Sequence, residues 1–175
     1  EPLVLQAAKD LVGQGVKAIV GACGSLAYYQ RAVSAALPVP VCLSVLTQVP
    51  AILDLLPPAQ SLAVYFASRR SYNERICEQC RITPAHRERL IATEALELES
   101  FRRFAAKPSM LDPARLSQEL AAHAAQLVRA HPHVGAFLLQ CSDLPPFAAA
   151  LQGATGLPVF DGTLVVELLH RAVAR

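Results

Sequence analysis

Apolar positions along this chain follow two periods that take turns. Residues 3–15 set Leu3, Ala7, Ala8, Leu11 and Val12 on one helical face before Gly15 ends the run. The short apolar run 16–22 has the length and β-branching of a buried strand, and helical spacing returns over 26–37. A strand at 39–45, a helix at 48–56 and a strand at 61–67 follow. The middle is more polar: a helix over 71–79 that Ser71 can cap, a strand at 89–93 and a short helix at 98–106. Pro108 and Pro113 punctuate a loop before a long helix at 114–130. The last third runs strand 134–140, helix 145–154, strand 157–160 and helix 163–174. Strands that alternate with helices predict an α/β fold, with parallel pairing and right-handed crossovers.

Two segments repeat one another. Ala18-Ile19-Val20-Gly21-Ala22-Cys23-Gly24-Ser25-Leu26, then Tyr29, Ala32, Val33 and Ala36, aligns with Ala136-Phe137-Leu138-Leu139-Gln140-Cys141-Ser142-Asp143-Leu144, then Phe147, Ala150, Leu151 and Ala154. The segments close on Leu37-Pro38-Val39 and Leu157-Pro158-Val159. Apolar strands and alanine-rich helices are common parts, but they do not call for cysteine at both turns. The repeat predicts two pseudo-symmetric lobes, each a parallel sheet flanked by helices. The first is expected over 1–58 plus 159–175 and carries Cys23; the second, over 59–158, carries Cys141. Pro57-Pro58 marks the break, and the chain is expected to cross back near Pro158, so that the last helix packs on the first lobe.

Ligands of parallel α/β sheets collect at the carboxyl ends of the strands, where both cysteines fall. The first-turn amides of each following helix, at Gly24, Ser25 and Ser142, are free donors for a carboxylate and favour a thiolate. Facing thiols would take a proton from a carbon next to a carbonyl on one side and return it on the other. Helix amides would hold the enolate. Thr47 and Ser68, at other strand ends, are further ligand candidates. Arg69-Arg70 reads as a solvated face from which one guanidinium could reach an acidic substrate.

The residues around the repeat resemble the aspartate/glutamate/hydantoin racemase superfamily, which also includes maleate isomerases and arylmalonate decarboxylases. The resemblance lies in Gly21-Ala22-Cys23-Gly24-Ser25-Leu26-Ala27, in Leu37-Pro38-Val39-Pro40-Val41 with Ser44 and Gln48-Val49-Pro50, and in Gln140-Cys141-Ser142-Asp143-Leu144-Pro145-Pro146. Glu99-Ser100-Phe101-Arg102 is a weaker match. It implies that Cys23 and Cys141 are the catalytic pair and that the residues after each, Asp143 among them, bind a carboxylate. It implies a small carboxylate or amino-acid derivative as substrate, with no metal and no pyridoxal cofactor. It also implies a first lobe truncated at its N-terminus, because family members carry a further strand–helix–strand segment there. The leading expectation is a cofactor-independent racemase or epimerase. A cis–trans isomerase, a decarboxylase, or a non-catalytic ligand-binding remnant are the alternatives.

Composition narrows this picture. The 175 residues are 53% hydrophobic and 17% charged with a net charge of +2 and no basic tail, which argues against nucleic acid. The uncharged stretch 32–53 is broken by Pro38, Pro40 and Pro50, so it reads as helix, strand and helix rather than a membrane span. Five cysteines leave at least one unpaired and fit a reducing, cytoplasmic setting. Cys77-Glu78-Gln79-Cys80 has redox spacing but falls inside a helix, zinc would lack ligands, and Cys42 reads as core. A second copy of the chain is a candidate partner.

Overall fold

β3 (Ser61–Phe66) and β5 (Val134–Leu139) are buried at every position, which only a sheet covered on both faces allows. In the computed structural model, which describes residues 2–174 apart from the Ser71 side chain, they form the centre of a four-stranded parallel sheet. Its order is β4 (Leu90–Glu94), β3, β5 and β6 (Val159–Asp161). Successive side chains point to opposite faces, and the two cores follow that alternation. Leu62, Val64, Phe66, Ala136 and Leu138 enter one core; Ala63, Tyr65, Phe137 and Leu139 enter the other. The register shifts at Gly135, where an added Cβ would collide with the Gln60 side chain.

The second core is closed by α6 (Glu99–Ala106), α7 (Pro113–Ala130) and α8 (Ala148–Thr155), through Phe101, Leu116, Leu120, Ala124 and Leu151. The first core draws on both expected lobes. Val45, Leu46, Val49, Ile52 and Leu53, from a 3₁₀ turn and α3 (Val49–Leu55), lie against the sheet beside Ile76 and Cys77 of α4 (Glu74–Gln79). Val165 of α9 (Gly162–Val173) completes it. A smaller cluster, Ala8, Ile19, Val33 and Leu43, packs α1 (Pro2–Gly13) and α2 (Gln30–Ala36) on a two-stranded parallel sheet, β1 (Ile19–Val20) with β2 (Val41–Cys42).

The α/β class and the parallel sheets of the sequence reading are present. Several details differ. β1 and β2 are two residues long, because among the described residues each pairs only with the other. Gly21 then rests on the Leu43 backbone, where a Cβ would collide. β6 belongs to the four-stranded sheet, so the chain leaves that sheet at Gly162, later than the boundary at 159. A helix absent from the pattern reading, α5 (Pro84–Glu88), starts on a Thr83 cap that takes the His86 amide at 3.2 Å, with Pro84 in its first turn. α4 starts on Asn73 rather than Ser71, whose side chain lies outside the described residues. No described helix is long and apolar enough to cross a membrane.

Because Leu138 is fully buried between β3 and the first-lobe elements, Leu138→Ala is expected to cost about 2–5 kcal/mol. A urea titration followed by circular dichroism reads this as a lower midpoint with an unchanged slope.

Candidate active site

The sequence repeat is a structural repeat. The Cys23 carbonyl accepts from Leu26 N–H at 2.9 Å and the Cys141 carbonyl from Leu144 N–H at 3.1 Å. Each turn passes through a 3₁₀ segment, Gly24–Tyr29 or Pro145–Phe147, and α2 and α8 begin at the same offset from their cysteines. Between the two turns lies a narrow cleft of about 30 Å³ lined by Cys23, Gly24, Ser44, Gln140, Ser142 and Gly162, among others. It shares Val20, Gly21, Ser142 and Gly162 with a wider apolar depression of about 280 Å³ that also takes in Thr163 and Val166.

The two thiols are not equivalent. Cys23 is exposed and lines the cleft; Cys141 is 5% exposed, and its side chain belongs to the core under α7 and α8. Leu139 and Cys141 pack in the core on the helix-covered side of the sheet, and Gln140 between them reaches the Gly24 turn. The chain is held there by the Tyr65 carbonyl, which accepts the Gln140 amide at 2.9 Å and the Cys141 amide at 3.3 Å. Tyr65 is itself anchored, its hydroxyl 2.7 Å from His123 Nδ1, with His123 Nε2 3.9 Å from Glu97.

Helix-terminal amides were expected to pull both thiols down. For Cys141 the opposite holds. Burial pushes its thiol up from the ordinary 9.0 to about 11, against the Asp143 amide, which favours the thiolate; the Asp143 carboxylate and the nearby Cys23 add to the rise. The Cys141 thiol reaches Asp143 Oδ2 at 3.7 Å. The segment after it opens on Pro145-Pro146, which carry no amide protons to offer. Cys141 is therefore a protonated thiol at neutral pH.

Of the expected ligands, Gly24 and Ser142 line the cleft, while Ser25 and Asp143 are exposed outside its lining. Two others point elsewhere. Thr47 bonds to Ser44 O at 2.9 Å and sits 3.2 Å from Cys42 Sγ, on a separate groove with Gln79 and Arg81. Ser68 takes the Arg70 amide and gives its proton to Glu94, both at 3.4 Å. Arg69 pairs with Glu97 at 3.6 Å. Cys42, Cys77 and Cys80 are core residues whose thiols burial pushes up, Cys80 to about 12. Among the described residues no group of three His, Cys, Asp or Glu side chains could hold a metal ion. Gln140, which the repeat left unremarked, lines the cleft; its signal was a polar residue where the strand pattern calls for an apolar one.

Allantoin racemase from Pseudomonas fluorescens superposes with a TM-score of 0.64 at 17% identity, over 98% of this chain and 69% of that one. Glutamate racemase from Francisella tularensis, solved with D-glutamate, gives 0.57 at 19% identity over 98% and 64%, and an arylmalonate decarboxylase variant gives 0.58 at 17% over 98% and 72%. The chain has the fold of the aspartate/glutamate/hydantoin racemase superfamily. In sequence it is similar to dimethylsulfoniopropionate lyases. One from Durusdinium sp. clade D is 24% identical over 161 residues, 90% of this chain and 53% of that protein. Lyase 6 of Emiliania huxleyi is 29% identical over 155 residues, 85% of this chain and 40% of that protein. The chain thus spans about half or less of the length of these relatives. No family model matches it. The proteins it resembles in fold and in sequence are themselves enzymes by name.

A raised thiol pKa has a consequence for stability. Cys141 stays protonated in the fold where an unfolded thiol ionises, so its contribution is complete below pH 9.0 and is lost as pH rises through about 11. Cys141→Ala is expected to show a shallower fall in denaturation midpoint over that window than the parent chain, measured by urea titrations at stepped pH.

Proposed function

We propose that this chain is a cofactor-independent enzyme that removes a proton from the carbon next to a carboxylate, and that the outcome is elimination. The observation that carries this reading is the inequality of the thiols. An exposed Cys23 can act as a base, while Cys141, buried and protonated, is suited to donating or holding a proton. Racemisation in both directions needs two groups that exchange the roles of acid and base. Elimination needs one base only, which matches an unequal pair.

The sequence relatives suggest the substrate class: a short carboxylate with a leaving group on the second carbon, such as dimethylsulfoniopropionate. The Cys23 thiolate takes the proton from the carbon beside the carboxylate. The electron pair of that C–H bond becomes the new double bond, and the carbon–sulfur bond breaks with its pair leaving on dimethyl sulfide. Acrylate is the other product, and Cys23 returns its proton to water. Nothing is oxidised or reduced. The new negative charge on the carboxylate side is stabilised by the polar lining of the cleft.

Racemisation is the second reading. Its support is the matched turn geometry at Leu26 and Leu144 and the superposition on allantoin and glutamate racemases. One pair of variants separates the two. Cys23→Ser is expected to lower dimethyl sulfide release from dimethylsulfoniopropionate by roughly 10²–10⁴-fold, followed by gas chromatography, whereas Cys141→Ser retains most of it. If Cys141→Ser instead abolishes activity, and the parent chain puts solvent deuterium on the α-carbon of allantoin or glutamate without releasing dimethyl sulfide, elimination is wrong and racemisation stands.

A further inference from the structure

Two glutamines are nine-tenths buried in this chain, and they behave differently. Gln30 is used up by the fold: its Nε2 donates to Val41 O at 2.9 Å and its Oε1 accepts from Leu43 N–H at 2.7 Å. Gln140 is 5% exposed and lines the cleft, yet its carboxamide has no hydrogen-bond partner among the described residues. No fully enclosed side-chain nitrogen or oxygen there is unpaired, so the Gln140 amide is one that the cleft keeps within reach of water. An amide with no protein partner, reachable only through the cleft at the junction of the two cysteine turns, is free to bond a ligand that displaces that water.

Its position is specific. The Gln140 Nε2 rests on Gly24, the residue after Cys23, so closely that a Cβ on Gly24 would collide with it. The donor thus sits beside the exposed thiol, on the far side of the strand from Cys141. The residues lining the cleft and the adjoining depression include no Lys, Arg or His. Two carboxylates adjoin lining residues along the chain, Asp143 after Ser142 and bonded to Cys141, and Asp161 before Gly162 and capping α9.

We propose that the Gln140 carboxamide holds the substrate carboxylate against the Cys23–Gly24 turn, and that the cleft selects a substrate with a single negative charge. This rests on the reading of the cleft as a site for carboxylate chemistry. A neutral donor suffices for one carboxylate, held by a hydrogen bond that the ligand's charge strengthens. A second carboxylate would find no cation among the lining residues. A neutral or cationic far end is accepted.

Alkylation of Cys23 tests this without turnover. Iodoacetate carries the carboxylate and iodoacetamide lacks it, and peptide mapping separates Cys23 from the four buried thiols. The iodoacetate-to-iodoacetamide rate ratio at Cys23 is expected to exceed that of glutathione, and to fall about tenfold, the scale of one charge-assisted hydrogen bond, in Gln140→Leu and Gln140→Glu. Thermal melts confirm that the variants fold; if Gln140→Leu does not, Gln140→Met, which also lacks a donor, takes its place. Propionate is expected to slow alkylation at concentrations where succinate does not. An unchanged ratio in the folded variants overturns the role of Gln140, and equal protection by succinate overturns the single-charge selection. Failure to release dimethyl sulfide would count against elimination alone, since the alkylation ratio does not depend on it.

Discussion

One carbonyl oxygen, that of Tyr65, receives two amide protons from the end of β5, and the geometry of the cleft follows from that shared bond. Consecutive amides of an extended strand point to opposite sides, so two of them on one acceptor end the regular ladder at Leu139. Gln140 is sent toward the Cys23 turn, and Cys141 toward the helices on the other side. The Tyr65 ring, fully buried and bonded to His123, keeps that carbonyl in place.

The chemistry of the pair is set by the same placement. A thiol on the helix-covered face loses water and with it the thiolate; desolvation outweighs the single amide that Asp143 contributes. A thiol on the open turn keeps its contact with solvent. Two turns with matching hydrogen bonds therefore carry two unlike groups. The repeat describes backbone, and backbone symmetry does not extend to side-chain surroundings once one face is packed and the other is open.

What the sequence made legible follows the same division. The order of strands and helices could be read because β3 and β5 are long apolar runs and the helices between them have a clear period. Strand length at β1 and β2 could not, since pairing is decided by neighbours distant in the chain. α5 was readable in principle from Thr83-Pro84, a cap followed by a first-turn proline. That Cys23, Gly24 and Ser142 line one cleft was legible from the repeat, whereas the surroundings of Thr47 and Ser68 were not. Both lie near strand ends, but their hydroxyls are taken by Ser44 and Glu94, and side-chain direction is settled only by packing. The direction of Gln140 was not legible, because a polar residue closing an apolar strand can end in solvent as readily as in a cleft.

The core on the first face of the sheet is assembled from Val45 through Leu53, from β3 and β5, and from Val165 near the other end of the chain. Neither half covers this core without the other. The lobes are thus one cooperative unit in thermodynamic language, unable to swing apart on a hinge without exposing Leu46, Val49 and Leu138 to water. Entry to so narrow a cleft must then come from rotamer changes and loop breathing at the two turns, on the timescale of side chains rather than of whole domains.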